Sequence, residues 1–151
     1  MSNNFDFDAW LKKHNELVEL AQKLFVDRGL NAIITKDEKK PSYVRIFFGK
    51  KTIDFKVKEV NTRMGKSVWL CKDSDFDPDD NFLIRTRRED FWIIITGKDA
   101  DREGEYKESD YQEGVKYVVA PMEIARPAKT FIKLMKARLD SQMQKRISDF
   151  S

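Results

Sequence analysis

Two residue types that build many enzyme sites are almost missing from this chain: among 151 residues there is one cysteine, Cys71, and one histidine, His14. A single thiol cannot close an intrachain disulfide, and with one imidazole beside it no Cys/His zinc site can be assembled. A Ser/His/Asp triad has too little histidine to be argued, and neither G-x-x-x-x-G-K-[ST] nor G-x-G-x-x-G occurs. No apolar run approaches the ~18 residues of a membrane span. The opening MSNNFDFD lacks the basic start and apolar stretch of a signal peptide. These absences lead to an expected cytoplasmic protein with no membrane partner.

What is present speaks for a packed core. Eleven Phe, four Tyr and three Trp stand against disorder, although 36% of the residues are charged. The length suits one domain over residues 1–151. The net charge of +3 is unevenly placed, because residues 126–151 hold seven basic side chains against Asp140 and Asp149. That segment reads either as a basic arm facing phosphates or as the solvated outer face of a helix.

Apolar residues recur at Trp10, Leu17, Ala21 and Leu24, which predicts a helix over 7–28 stopped by Gly29, with Trp10 inside. Strands are expected at 30–35, 43–48 and 52–58, the last two paired through the turn at Gly49. Further strands at 67–71, 82–87 and 91–96 would complete one sheet of five or six, the last two as a hairpin. Residues 97–114 read as a polar loop or lid, and 115–120 as an apolar segment. Pro127 then opens a long helix with Phe131, Met135, Leu139, Met143 and Ile147 along one stripe, and its end is expected to pair with a second copy. The fold class is α/β (α+β), a central mixed sheet flanked by an N-terminal and a long C-terminal helix.

In TIDFKVK, at 52–58, the two-residue period puts Ile53, Phe55 and Val57 on the core face and Asp54, Lys56 and Lys58 on the other. A carboxylate there can hold a divalent metal, and a neighbouring lysine can stabilise charge growing on a phosphate. With ELVELAQKLFVDRG before it, KKPSYVRIFFGKKTIDFKVKEV around it and SVWL after it, the first half of the chain resembles the PD-(D/E)xK (restriction endonuclease-like) nucleases, and within them the archaeal Holliday-junction resolvases. The resemblance implies that fold, Mg²⁺ or Mn²⁺ as cofactor, Asp54 as second acid and metal ligand, and Lys56 as the lysine of the motif. It also implies an added glutamate from the first helix, Glu16 or Glu19. Glu16 lies about 120° from the centre of the apolar stripe and Glu19 about opposite it. The family's first acid falls on Ser42, 12 residues ahead of Asp54, where a hydroxyl is a poor ligand for a hard cation. Asp37 joins Glu16 and Glu19 as a possible substitute by sequence position.

DADREGE, at 99–105, resembles the metal-binding acidic motif of TOPRIM domains, but the apolar helix that should follow is absent. Asp73, Asp75 and Asp77 open like an EF-hand loop, which fails at Pro78 and Ile84. Arg85, Arg87 and Arg88 beside Phe91 and Trp92 suit phosphates and bases, as do Lys58, Lys129, Lys133 and Lys136. Three functions follow: a metal-dependent phosphodiester hydrolase acting on DNA ahead of RNA, a degenerate nuclease-like fold that binds nucleic acid without cutting, and a protein-interaction domain.

Overall fold

The computed structural model describes residues 6–37, 40–60, 65–86, 91–109 and 112–149, with backbone alone at 37, 40 and 143–149. In chain order the elements are α1 (Phe7–Val26), β1 (Asn31–Asp37), β2 (Lys40–Phe48), β3 (Lys51–Val60), β4 (Ser67–Lys72), β5 (Asn81–Thr86), β6 (Phe91–Thr96), α2 (Gly97–Glu103), β7 (Glu105–Glu108), β8 (Lys116–Pro121), β9 (Arg126–Pro127) and α3 (Ala128–Asp149). No helix among the described residues is long and apolar enough to cross a membrane.

Asp6 caps α1 by accepting the Ala9 N–H at 3.1 Å. The helix stops as expected at Gly29, whose φ of 87° a side-chain-bearing residue adopts only at a cost. Six strands form the central sheet in the order β1-β2-β3-β5-β6-β9. It is mixed, because β3 runs parallel to β5 while the other neighbours are antiparallel. On one face Leu17, Val18, Ala21, Leu24 and Phe25 of α1 and Ala128, Ile132 and Met135 of α3 pack on Val44, Ile46, Phe55, Val57, Leu83 and Ile94. The expected flanking of a mixed sheet by the first and last helices is therefore present.

Five expectations are corrected. Residues 67–71 do form a strand, but β4 belongs to a second sheet, ordered β4-β8-β7, that covers the opposite face over Phe82, Ile84, Ile93 and Ile95. Residues 97–114 are not simply a loop: α2, capped by the Thr96 hydroxyl on the Asp99 N–H, and β7 lie within them. Pro127 does not open the last helix but closes the two-residue strand β9, and α3 starts one residue later. Trp10 is 37% exposed, because α1 begins nearly three turns before Leu17, the first of its residues that is buried. Ile53, expected inside, is half-buried against that core. The stripe positions Met143 and Ile147 have side chains outside the described residues.

Candidate nucleic-acid interface

The alternation of β3 survives in the fold. Phe55 and Val57 enter the core under α1, and Asp54, Lys56 and Lys58 face the other way. The second sheet lies over β5 and β6, so this charged face of β3 borders a groove of about 1180 Å³. Its walls are Trp10, His14 and Glu16 of α1, the turn carrying Asp75 and Asp80, and Arg85 of β5.

Asp54, Lys56 and Lys58 each have a partner. Gly49 and Lys50 turn the β2–β3 hairpin so that Phe48 pairs with Lys51, and the register then sets Arg45 opposite Asp54. Arg45 grips that carboxylate with two bonds, Nε to Oδ1 at 2.8 Å and Nη2 to Oδ2 at 3.2 Å, and lies 5.9 Å from the Tyr43 ring centre. The hydrogen bond and charge of Asp54 hold the guanidinium still further above its ordinary value. Lys56 pairs with Asp80 at 2.9 Å and also donates to the Asp75 carbonyl. Lys58 donates to the carbonyls of Trp69 and, at 2.9 Å, Leu70, closing the free edge of β4. Desolvation in this position lowers the pKa of Lys58, and burial raises that of the neighbouring Cys71 thiol.

Ser42 does not stand beside Asp54. It shares the face of Val44 and Ile46, is 8% exposed, and its hydroxyl donates to Asn15 on α1 at 3.5 Å. The Ser42 carbonyl accepts from His14 Nε2 at 2.8 Å, so this nitrogen carries the proton. Glu16 reaches the groove wall, whereas Glu19 is exposed on α1 and is not among the lining residues. The side chain of Asp37 is outside the described residues. Among the described residues no three His, Cys, Asp or Glu side chains gather as metal ligands. With both Asp54 oxygens bound to Arg45 and Ser42 on the opposite face, this donor set does not fit a divalent cation at Asp54.

Of the basic residues singled out, Lys58 and Arg85 line the groove, and Arg85 also meets Glu59 at 3.4 Å and the Trp92 ring. Lys129, Lys133 and Lys136 lie on α3 and are not among the lining residues; Lys136 packs over Gly29 and pairs with Asp140. Arg87 and Arg88 fall outside the described residues. The acids of DADREGE sit on α2 and at the start of β7, with Arg102 bound to Asp99 at 2.9 Å and to Glu103 at 3.2 Å. Arg45 was missed by motif reading, although counting back from the Gly49 turn would have placed it opposite Asp54. For Asp80 the local sequence carries no such signal.

No family model and no curated protein sequence matches the chain. A solved structure does: Hjc of Archaeoglobus fulgidus, a Holliday junction resolvase from an archaeal hyperthermophile, superposes with a TM-score of 0.55 at 8% identity, over 80% of this chain and 96% of that one. The fold of this chain is thus the restriction endonuclease-like one that the D-x-K region suggested.

Proposed function

We propose that this chain is a nucleic-acid-binding protein built on a nuclease fold, in which the groove along β3 meets the phosphate backbone without metal-dependent cleavage at Asp54. The observation that carries the reading is the closure of the D-x-K pair, Asp54 by Arg45 and Lys56 by Asp80, inside an open groove. The likeness to a resolvase of four-way junctions supports DNA ahead of RNA as partner. Lys13, Lys56, Lys58 and Arg85 give the groove its cations. Carboxylates outnumber these cations, since Glu16, Asp54, Glu59, Asp75, Asp77 and Asp80 line the groove as well, and Lys56, Lys58 and Arg85 are already held by Asp80, the β4 carbonyls and Glu59. Binding in such a groove takes strands whose phosphates stay at the lysine-bearing rim.

The test incubates the full chain with labelled single-stranded, duplex and four-way-junction DNA and with single-stranded RNA, with and without Mn²⁺ or Mg²⁺. Salt-dependent binding with every strand left intact is the expected result. Cleavage that needs the metal and disappears in Asp54→Ala and Lys56→Ala would replace this reading with the hydrolytic one. Failure to bind any of the four would leave a protein-interaction domain. A homodimer along α3 belongs to the same reading, because Leu134 is exposed beside the buried Ile132 and Met135. Light scattering should give the full chain the mass of a dimer and Leu134→Glu the mass of a monomer, and a monomeric full chain would remove the dimer.

A further inference from the structure

Three of the four cations in the groove, Lys56, Lys58 and Arg85, are held by partners. The basic residues around α3 are not held in this way. Between residues 126 and 142 the chain carries Arg126, Lys129, Lys133, Lys136 and Arg138 against one acid, Asp140. Arg126, Lys129, Lys133 and Arg138 are exposed, and none of them has an ion-pair partner among the described residues. Lys136 meets Asp140 at 3.5 Å, but these side chains are 43% and 60% exposed, so solvent screens the pair. The spacing i, i+4 and i+7 puts Lys129, Lys133 and Lys136 on one face of the helix. Buried Ala128, Ile132 and Met135 fix α3 against the sheet, and Lys136 packs over Gly29 at the end of α1, so that face is held in place.

We infer that this basic stripe on α3 holds the phosphate backbone of duplex DNA by charge alone, at a contact outside the groove. The inference rests on the proposed function and adds a second surface to it. Duplex DNA carries one negative charge per about 1.7 Å of its axis, so a row of unpaired ammonium groups meets phosphates in any register and releases their counterions. Lysine is a point charge with no planar fork for a base edge, and the contact therefore reads no sequence. An anionic membrane fits less well, because helices that lie on one also insert an apolar face. Leu134, exposed on α3, lies about 100° round the helix from Lys133, which leaves the stripe polar. The same offset keeps Leu134 available to a second copy.

The test measures anisotropy of two labelled DNA duplexes of unrelated sequence across a range of salt, with the full chain and its variants. The logarithm of affinity should fall linearly with that of salt, and Lys129→Ala/Lys133→Ala should make the slope shallower by about 2 on both duplexes alike. Lys129→Arg/Lys133→Arg should keep the wild-type slope. Lys107→Ala/Lys116→Ala, which removes the same charge from the second sheet, should keep it too. An unchanged slope in the α3 alanine variant overturns the stripe. So does an equal change in the Lys107 and Lys116 variant, which marks an effect of net charge alone. If Lys13→Ala removes the salt dependence instead, the stripe falls and the groove reading stands. Tighter binding to phosphatidylserine vesicles than to either duplex, lost with the same two lysines, replaces DNA by a membrane surface. A full chain that binds single strands or junctions but neither duplex sinks the stripe alone, whereas one that binds no nucleic acid takes the proposed function with it.

Discussion

Lys58 is a charged side chain given a structural task, and its protonation reports the cost. Its ammonium faces two carbonyls on β4, and desolvation lowers its pKa from the ordinary 10.5. Between the lowered value and 10.5 the unfolded chain holds a proton that the folded chain has released, so this group makes stability rise with pH there. Below that window both states are protonated and the desolvation cost is present in full. Cys71 has the opposite slope, because burial raises its thiol above 9.0 and the folded state then keeps its proton longer. Replacing Lys58 removes a charge that lowers the Cys71 pKa, so in Lys58→Met the thiol makes stability fall more steeply with pH, which adds to the difference with the same sign. The melting temperature of wild type minus that of Lys58→Met should therefore increase from neutral to alkaline pH, and a difference independent of pH would refute it. The Arg45–Asp54 pair sits where solvent screens it, with the side chains 33% and 39% exposed. A double-mutant cycle with Arg45→Met and Asp54→Asn should give a coupling of about 0.5–1 kcal/mol by denaturant unfolding, the scale of a well-aligned surface pair. No measurable coupling would mean that the carboxylate is free in solution.

At the scale of elements, α2 shows how a short helix can organise the groove from behind. Gly97 begins it, and a Cβ there would collide with the backbone carbonyls of Pro78 and Asp80. The close approach holds the turn whose Asp80 carboxylate pairs with Lys56. Gly97→Ala should consequently destabilise the fold by about 1–3 kcal/mol, the range for overpacking, and displace Asp80. Chemical denaturation measures the first effect, and the Lys56 side-chain resonances in NMR measure the second. A neutral substitution would show that the turn yields freely. This helix was hard to read in the sequence because Ala100 is its sole buried side chain beyond the glycine, so no apolar stripe marks it. The legible sign was Thr96 followed three residues later by Asp99, a capping pattern. By contrast α1 and the β2–β3 hairpin carry strong periodicity and a glycine stop or turn, and both lie where those signals put them. The alternation of Asp54, Lys56 and Lys58 was legible for the same reason. Membership of β4 in the second sheet was not, since Val68 and Leu70 demand only that one face be covered and do not say by what.

Across the described residues, the central sheet is shared by two apolar clusters, one on each face. Neighbouring residues of β5 divide between them: Leu83 packs under the helices, and Ile84 under the second sheet. Both are fully buried, so Leu83→Ala and Ile84→Ala should each cost about 2–5 kcal/mol. What matters is whether the two losses stay in one transition. Trp92 packs against the helix-side cluster and Trp69 lies on β4, so tryptophan emission reports on both layers, while far-ultraviolet dichroism follows α1 and α3 most strongly. A β-strand hydrogen-bonded on both sides cannot lose one face's packing while the other face keeps its geometry intact, because the same backbone positions both sets of side chains. Denaturant midpoints by fluorescence and by dichroism should then coincide in wild type and in both variants. If Ile84→Ala moves the fluorescence transition ahead of the dichroism transition, the sheet of β4, β8 and β7 opens by itself. In that case Lys58 must lose the carbonyls it holds on β4 before the helices unfold, and the groove wall is the first part of the protein to go.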